Sequence, residues 1–237
     1  MMGLALVPLF LWAEDDEPGV ATQEILNKYV QATQVQQQVL RGITMKVNIV
    51  AELPRLQKKG TMIALRTISR VGRTTYEALG FEGDNTIKQQ LIARYLAAET
   101  DASNHRAPPI TPEFYKFKYK GLLEREGQQV HLFQLSPKKK AVGTFKGELW
   151  LDKQTCLPLR ESGRLSRNPS LFIKTFDFVR RYEIRDGIAY PKQTLGTVVT
   201  RIWGKAEMNV DYSNYDKLPT DAAESTTVDD ALAKNPR

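Results

Sequence analysis

From Ile43 to Leu53, the apolar residues Ile43, Met45, Val47, Ile49, Ala51 and Leu53 alternate with Thr44, Lys46, Asn48 and Glu52, and only Val50 breaks the polar parity. A period of two is the signature of a strand with one face in apolar surroundings and the other in water. Pro54 stops the run, because proline cannot donate to a ladder. The alternation returns at Tyr115, Phe117 and Tyr119, set against Lys116, Lys118 and Lys120. Val130 to Leu135, Gly147 to Asp152 and Leu157 to Arg160 read as further short strands. Phe172, Phe176, Phe178, Tyr182 and Ile184 share one parity of a long strand. Asp186-Gly187 then marks a hairpin, since both residues accept positive φ at little cost. Ala206, Met208, Val210 and Tyr212 alternate with Glu207, Asn209, Asp211 and Ser213.

Two stretches carry the helical period instead. Thr22 to Leu40 places Ile25, Leu26, Tyr29, Val30, Val39 and Leu40 at near-helical spacing, with Thr22 as N-cap, Gly42 as terminator and a polar middle at Gln34 to Gln38 that predicts partial exposure. Asn85 to Glu99 places Ile87, Leu91, Ile92, Tyr95 and Leu96 on one side. Thr61 to Ile68 and Thr74 to Phe81 read as strands joined through Arg70-Val71-Gly72-Arg73, and Ser103 to Pro112 as a loop halted by Pro108-Pro109. The predicted order is helix, three strands, helix, loop and about seven strands. So many consecutive antiparallel strands imply one large, curled, mainly β (α+β) sheet, with the helices over its concave face.

Composition adds an address and a charge. Gly3 to Trp12 is almost purely apolar, and Ala13 precedes the acidic run Glu14-Asp15-Asp16-Glu17. The run is shorter than the roughly 20 residues a bilayer span needs. It fits the apolar core and small-residue cleavage site of a secretory signal peptide, although no Lys or Arg precedes it. The expectation is a signal peptide over 1–13, one domain over 14–215, and a partly disordered tail over 216–237 with a short helix near Val228 to Ala233. The 237 residues carry a net charge of +7 and a pI near 9.4. Such a balance favours anionic partners without choosing among them.

Catalytic and metal-binding patterns are missing. The only cysteine, Cys156, excludes an internal disulfide, a paired-cysteine metal site and a redox pair. His105 and His131 are isolated and form no zinc constellation, and no G-x-S-x-G elbow or P-loop occurs. The expectation is a non-enzyme without metal or cofactor. The Lys/aromatic alternation at 115–120 has the composition of a single-strand nucleic-acid platform. Its parity sends rings and lysines to opposite faces, so no nucleic-acid partner is expected.

Phe145-Lys146-Gly147-Glu148-Leu149-Trp150-Leu151-Asp152-Lys153-Gln154-Thr155-Cys156-Leu157-Pro158-Leu159-Arg160 resembles outer-membrane lipoprotein-sorting proteins of the LolA/LolB type, with a strand, an Asp-x-x-Thr turn and a proline-bearing strand. Asp186-Gly187-Ile188-Ala189-Tyr190-Pro191 is similar to their late hairpin, and Val210-Asp211-Tyr212-Ser213-Asn214-Tyr215 to their closing strand. The resemblance implies an unclosed antiparallel β half-barrel whose apolar concave side, covered by helices, receives acyl chains or serves relatives as a sensing or docking surface. With the expected signal peptide it points to a soluble periplasmic protein whose partners are lipid or lipoprotein acyl chains and envelope proteins, and the basic balance adds an anionic membrane surface. Arg66 is the candidate for the strand arginine by which such carriers hold their lid.

Sheltering an acyl chain from water is worth roughly 0.8 kcal/mol per methylene. A long chain therefore needs on the order of 10 kcal/mol of matching apolar surface, which a broad sheet face supplies. The candidate liners are Met45, Val47, Ile49, Tyr115, Phe117, Tyr119, Phe176, Phe178, Met208 and Val210, with Ile87, Leu91 and Tyr95 as cover. The same residues suit an ordinary core packed against the helices, and the pattern does not say which parity faces inward. Lys138-Lys139-Lys140, after Pro137, suits either a solvated charge run or a site for anionic headgroups.

Overall fold

In a computed structural model, residues 19–104, 108–168 and 173–219 are described. The expected signal segment, the tail helix near Val228 and Phe172 lie outside them. The described chain runs α1 (Val20–Val39), β1 (Ile43–Leu53), a 3-10 turn (Pro54–Leu56), β2 (Lys58–Ile68) and β3 (Thr74–Gly83). Helix α2 follows over 85–104, as Asn85–Ile87, a π-helical turn Lys88–Ile92 and Ala93–Asn104. Seven strands complete it: β4 (Tyr115–Arg125), β5 (Gln128–Pro137), β6 (Phe145–Asp152), β7 (Pro158–Leu165), β8 (Ile173–Arg185), β9 (Ile188–Thr200) and β10 (Lys205–Lys217).

All ten strands join one antiparallel sheet in the order β3-β2-β1-β10-β9-β8-β7-β6-β5-β4. The first strand pairs with the last, Ile49 opposite Val210. The sheet does not close: β3 and β4, linked through α2, form its two edges. It is an unclosed β half-barrel with both helices on the concave face. Extra residues at Thr44/Lys46, Ile63/Ala64, Tyr119/Gly121, Trp150/Leu151 and Arg181/Tyr182 shift the registers. Such bulges raise local twist and bend a sheet.

Local chemistry accounts for the boundaries. Asp84 caps α2 by accepting from Thr86 N at 2.7 Å, and its carboxylate lies 3.1 Å from Lys58 Nζ. Those two partners hold the Asp84 carboxyl below its usual range. Ile87 seats α2 on Gly60, where an added Cβ would meet Ile87 Cγ2 at 2.9 Å. In the Asp-x-x-Thr turn, the Asp152 carboxylate accepts from Gln154 N, Thr155 N and Thr155 Oγ1 at 3.1, 2.7 and 2.7 Å. The motif therefore builds the β6–β7 turn. Asp186 and Gly187 take φ of 51° and 72°, as expected of the hairpin.

Helix α1 departs from its expected boundaries. Gly19, not Thr22, occupies the N-cap; Thr22 N donates to Gly19 O at 2.8 Å from within the first turn. An extended glycine fills this position well, and its carbonyl starts the ladder without a side-chain cap. Val39, expected on the apolar stripe, is 39% exposed, because the helix end has passed beyond the sheet surface that buries Leu26 and Tyr29.

Candidate functional site

The concave face carries two apolar clusters, one under each helix. Below α2, Met45, Val47 and Ile49 of β1 are fully buried with Met62, Ala206, Val210, Ile87 and Ile92; Leu91, Tyr95 and Met208 pack against them. Below α1, Leu26 and Tyr29 meet Tyr115, Phe133, Leu135, Phe145, Leu149 and Phe178; Phe117, Tyr119 and Phe176 border this group. Rings predominate there: Phe145 and Phe178 meet edge-to-face at 4.9 Å between centroids, and Phe117 and Phe133 at 5.9 Å.

The expected strand liners thus lie on the side of the sheet that packs against the helices, and with the expected helix residues they fall into two groups. Met45, Val47, Ile49, Ile87, Leu91, Tyr95, Met208 and Val210 belong to the first cluster, and Tyr115, Phe117, Tyr119, Phe176 and Phe178 to the second. A cleft of about 640 Å³ opens beside the second group, at the ends of β6 to β8. Gly163, Leu165 and Phe178 line it together with Lys140, Lys146 and Arg164. Of the expected liners only Phe178 reaches it.

Around the facing pair of β7 and β8 lies a polar group that the alternation did not single out. Glu161, 7% exposed, stands opposite Arg180 in register. Arg180 Nη2 donates to Glu99 Oε1 of α2 at 3.0 Å, and Nη1 lies 3.9 Å from Glu161 Oε2. Tyr182 is the next residue on the inward parity of β8, and its phenol favours the charged form of the Glu161 carboxylate. Burial pushes the Glu161 carboxyl above its ordinary range, against the opposing pull of Arg180 and Tyr182. A signal for this group does exist in the sequence. Glu161 shares parity with Gly163 and Leu165, and Arg180 with Phe176, Phe178 and Tyr182, so both charges point inward from strands read as apolar.

Arg66 is also on the concave side, but its hydrogen bonds stay within the sheet: Nε donates to Tyr76 Oη at 3.0 Å and Nη1 lies 3.5 Å from Met45 Sδ. The strand arginine that reaches a covering helix is Arg180. The Tyr119 hydroxyl lies 2.8 Å from His131 Nδ1, and burial lowers the His131 pKa. That pair fits a structural role for the histidine. Cys156 is buried in the second cluster at φ 55°, and burial raises its thiol pKa, which disfavours the nucleophilic thiolate. No cluster of metal-binding side chains occurs among the described residues.

No family model and no curated protein matches the chain. Among solved structures it is similar to a DUF1329 family protein from Desulfovibrio piger, at 15% identity and a TM-score of 0.48, over 86% of this chain and 94% of that one. It is also similar to a domain from Vibrio parahaemolyticus assigned to outer membrane lipoprotein sorting, at 13% identity and a TM-score of 0.44, over 85% and 95%. A LolA superfamily protein from Nitrosomonas europaea matches at 14% identity and a TM-score of 0.39, over 83% and 93%. At these identities and TM-scores the chemistry of the concave face rests on this chain's own residues.

Proposed function

We infer that this protein is an exported, periplasmic, non-catalytic carrier or binding protein for lipid or lipoprotein acyl chains. The chains would lie between the concave sheet face and its covering helices. The observation that carries this reading is the continuity between the cleft and the aromatic cluster. Phe178 belongs to both, and Leu165 lines the cleft while packing against the cluster. An acyl chain entering at the ends of β6 to β8 would meet a path of rings, from Phe178 to Phe145 and Tyr115. Its methylenes would replace water contacts with apolar ones at about 0.8 kcal/mol each.

Polar links tie the covering helices to the sheet. For α1 these include the pair between Gln36 and the backbone of Ala189, at 2.7 and 3.3 Å, and for α2 the Arg180–Glu99 ion pair. The apolar segment from Gly3 to Trp12 ahead of Ala13 supports export. Among the described residues no helix is long and apolar enough to cross a membrane.

Organic extraction of the purified protein followed by mass spectrometry tests the carrier reading. Co-purified acyl lipid, and displacement of a fluorescent fatty acid by it, are the expected results. A protein that is empty as isolated and takes up no fatty acid contradicts it.

One observation favours a second reading, a protein-binding or sensory module of the cell envelope on the same scaffold. Met45, Val47, Ile49 and Leu53 are completely buried by the protein's own side chains, as in an ordinary core. Crosslinking that recovers a stable protein partner, unaffected by added fatty acid, would select this alternative.

A further inference from the structure

Antiparallel pairing gathers the turn Pro54–Gln57, the loop 138–144 and the β9–β10 turn 201–204 at one end of the half-barrel. Arg55 Cδ would lie 3.8 Å from a Cβ on Gly204, which joins the first turn to the third. These tips expose apolar side chains: Leu56 is 42% exposed, Val142 49% and Ile202 62%. They are also held in place. Trp203 N and the Gly204 carbonyl both bond Thr200 Oγ1, at 2.9 Å each, and Thr144 Oγ1 donates to Ala141 O at 2.8 Å. An apolar tip fixed by such bonds cannot fold back to hide itself.

Cations stand between the tips. Lys138, Lys139 and Lys140 are exposed on the loop that carries Val142, and Arg55 and Lys59 flank Leu56. Several acids at this end already have partners: Asp84 with Lys58, Asp177 with Arg164 and Glu207 with Lys205. Glu113 adjoins the lysine run and leaves it net positive. At the opposite end the turn acids Glu126, Asp152, Asp186 and Asp216 each adjoin a cation, Arg125, Lys153, Arg185 and Lys217, and Arg70 and Arg73 flank Val71, so that end carries cations too but no run of three lysines beside an apolar tip. The cleft opens on the end with the lysine run, lined by Lys140, Lys146 and the Arg164–Asp177 ion pair.

We propose that this end of the half-barrel docks on an anionic phospholipid bilayer, with Leu56, Val142 and Ile202 entering the headgroup region and the lysines meeting lipid phosphates. Charge complementarity selects the partner, because apolar tips interleaved with lysines are the composition that binds an anionic lipid interface. Docking would bring the cleft mouth to the surface from which an acyl chain is taken. The proposal deepens the carrier reading by naming the membrane it faces, and the two fail separately: vesicle binding without acyl uptake leaves docking standing and the carrier reading fallen.

Co-sedimentation of the full chain with two kinds of vesicle tests it, pure phosphatidylcholine and an equal mixture of phosphatidylcholine and phosphatidylglycerol. Residues 3–12 are common to every arm, so their own affinity for lipid cancels between variants. Preference for the mixed vesicles, weakened by salt, is expected. Lys138→Ser, Lys139→Ser and Lys140→Ser together should lower that binding on the order of 100-fold, since each lysine near an anionic leaflet contributes roughly a factor of five. Leu56→Ser with Ile202→Ser should lower it by roughly 10-fold or more. Val71→Ser at the other end, 73% exposed in the parent, should leave it unchanged. Trp203 emission should shift to the blue on mixed vesicles, and Trp203→Phe should remove the shift. Equal binding to both vesicle types, binding indifferent to both sets of variants, or no vesicle binding alongside capture of an acidic protein would each overturn the proposal. Unchanged thermal melts of the variants would tie any loss to the surface itself.

Discussion

Arg180, in the middle of β8, donates across the concave face to Glu99 of α2, with 3.0 Å between Nη2 and Oε1. Its other neighbour is Glu161, one strand away, so a single guanidinium serves a helix carboxylate and a buried sheet carboxylate. Removing it leaves Glu161 buried beside Glu99 with no cation between them. The Arg180 side chain is 40% exposed, which moderates the cost through solvent screening. Arg180→Met is expected to lower stability by about 2 kcal/mol in urea unfolding. Adding Glu161→Gln should recover part of that loss, because the stranded charge is then gone. Full additivity of the two substitutions would show that the residues are not coupled.

The same carboxyl sets a pH dependence. A group whose pKa is raised by folding stabilises fully below its unfolded value, near 4.5 for a glutamate, and loses that contribution as pH rises through the folded value. Glu161→Gln imitates the neutral, protonated form. Relative to the parent, the variant should therefore gain most stability at neutral pH, and the gain should shrink as pH falls toward 4.5. Thermal melts across that range check the sign; an advantage that grows on acidification contradicts the assignment.

Gly147 and Gly163 face one another in the β6–β7 pair. A Cβ on Gly147 would overlap the carbonyl oxygen of Ser162, and one on Gly163 would lie 2.5 Å from Lys146 O. Both obstacles are backbone in a paired strand, which cannot swing aside. Gly147→Ala is expected to cost about 2–4 kcal/mol, whereas Gly127→Ala, at a turn with open space, should cost less despite its positive φ. Equal melts for the two variants would contradict the close approach of the strands.

Phe133 is fully buried between Phe117 and Tyr119 beneath α1. Phe133→Ala should lower stability by about 3–5 kcal/mol if the cluster is an ordinary packed core. Saturating fatty acid should restore part of that stability if acyl chains enter there, since a ligand that binds only the folded state stabilises it by mass action. Urea titrations with and without fatty acid separate the two cases.

Side-chain periodicity by itself determined most of the elements: two helices and about ten strands in their order, with β9 implied only by the hairpin at Asp186-Gly187, and the parity shared by Met45, Val47 and Ile49 or by Phe176 and Phe178. Those features are local, because a period of two or 3.6 is a property of neighbouring residues. What alternation does not encode is which strands become neighbours across the sheet. The pairing of β1 with β10 and the bulges that bend the sheet were fixed only by long-range packing. So was the division of the inward residues into two clusters with Glu161 and Arg180 between them. A charge on the inward parity becomes meaningful only when folding brings its counter-charge within reach.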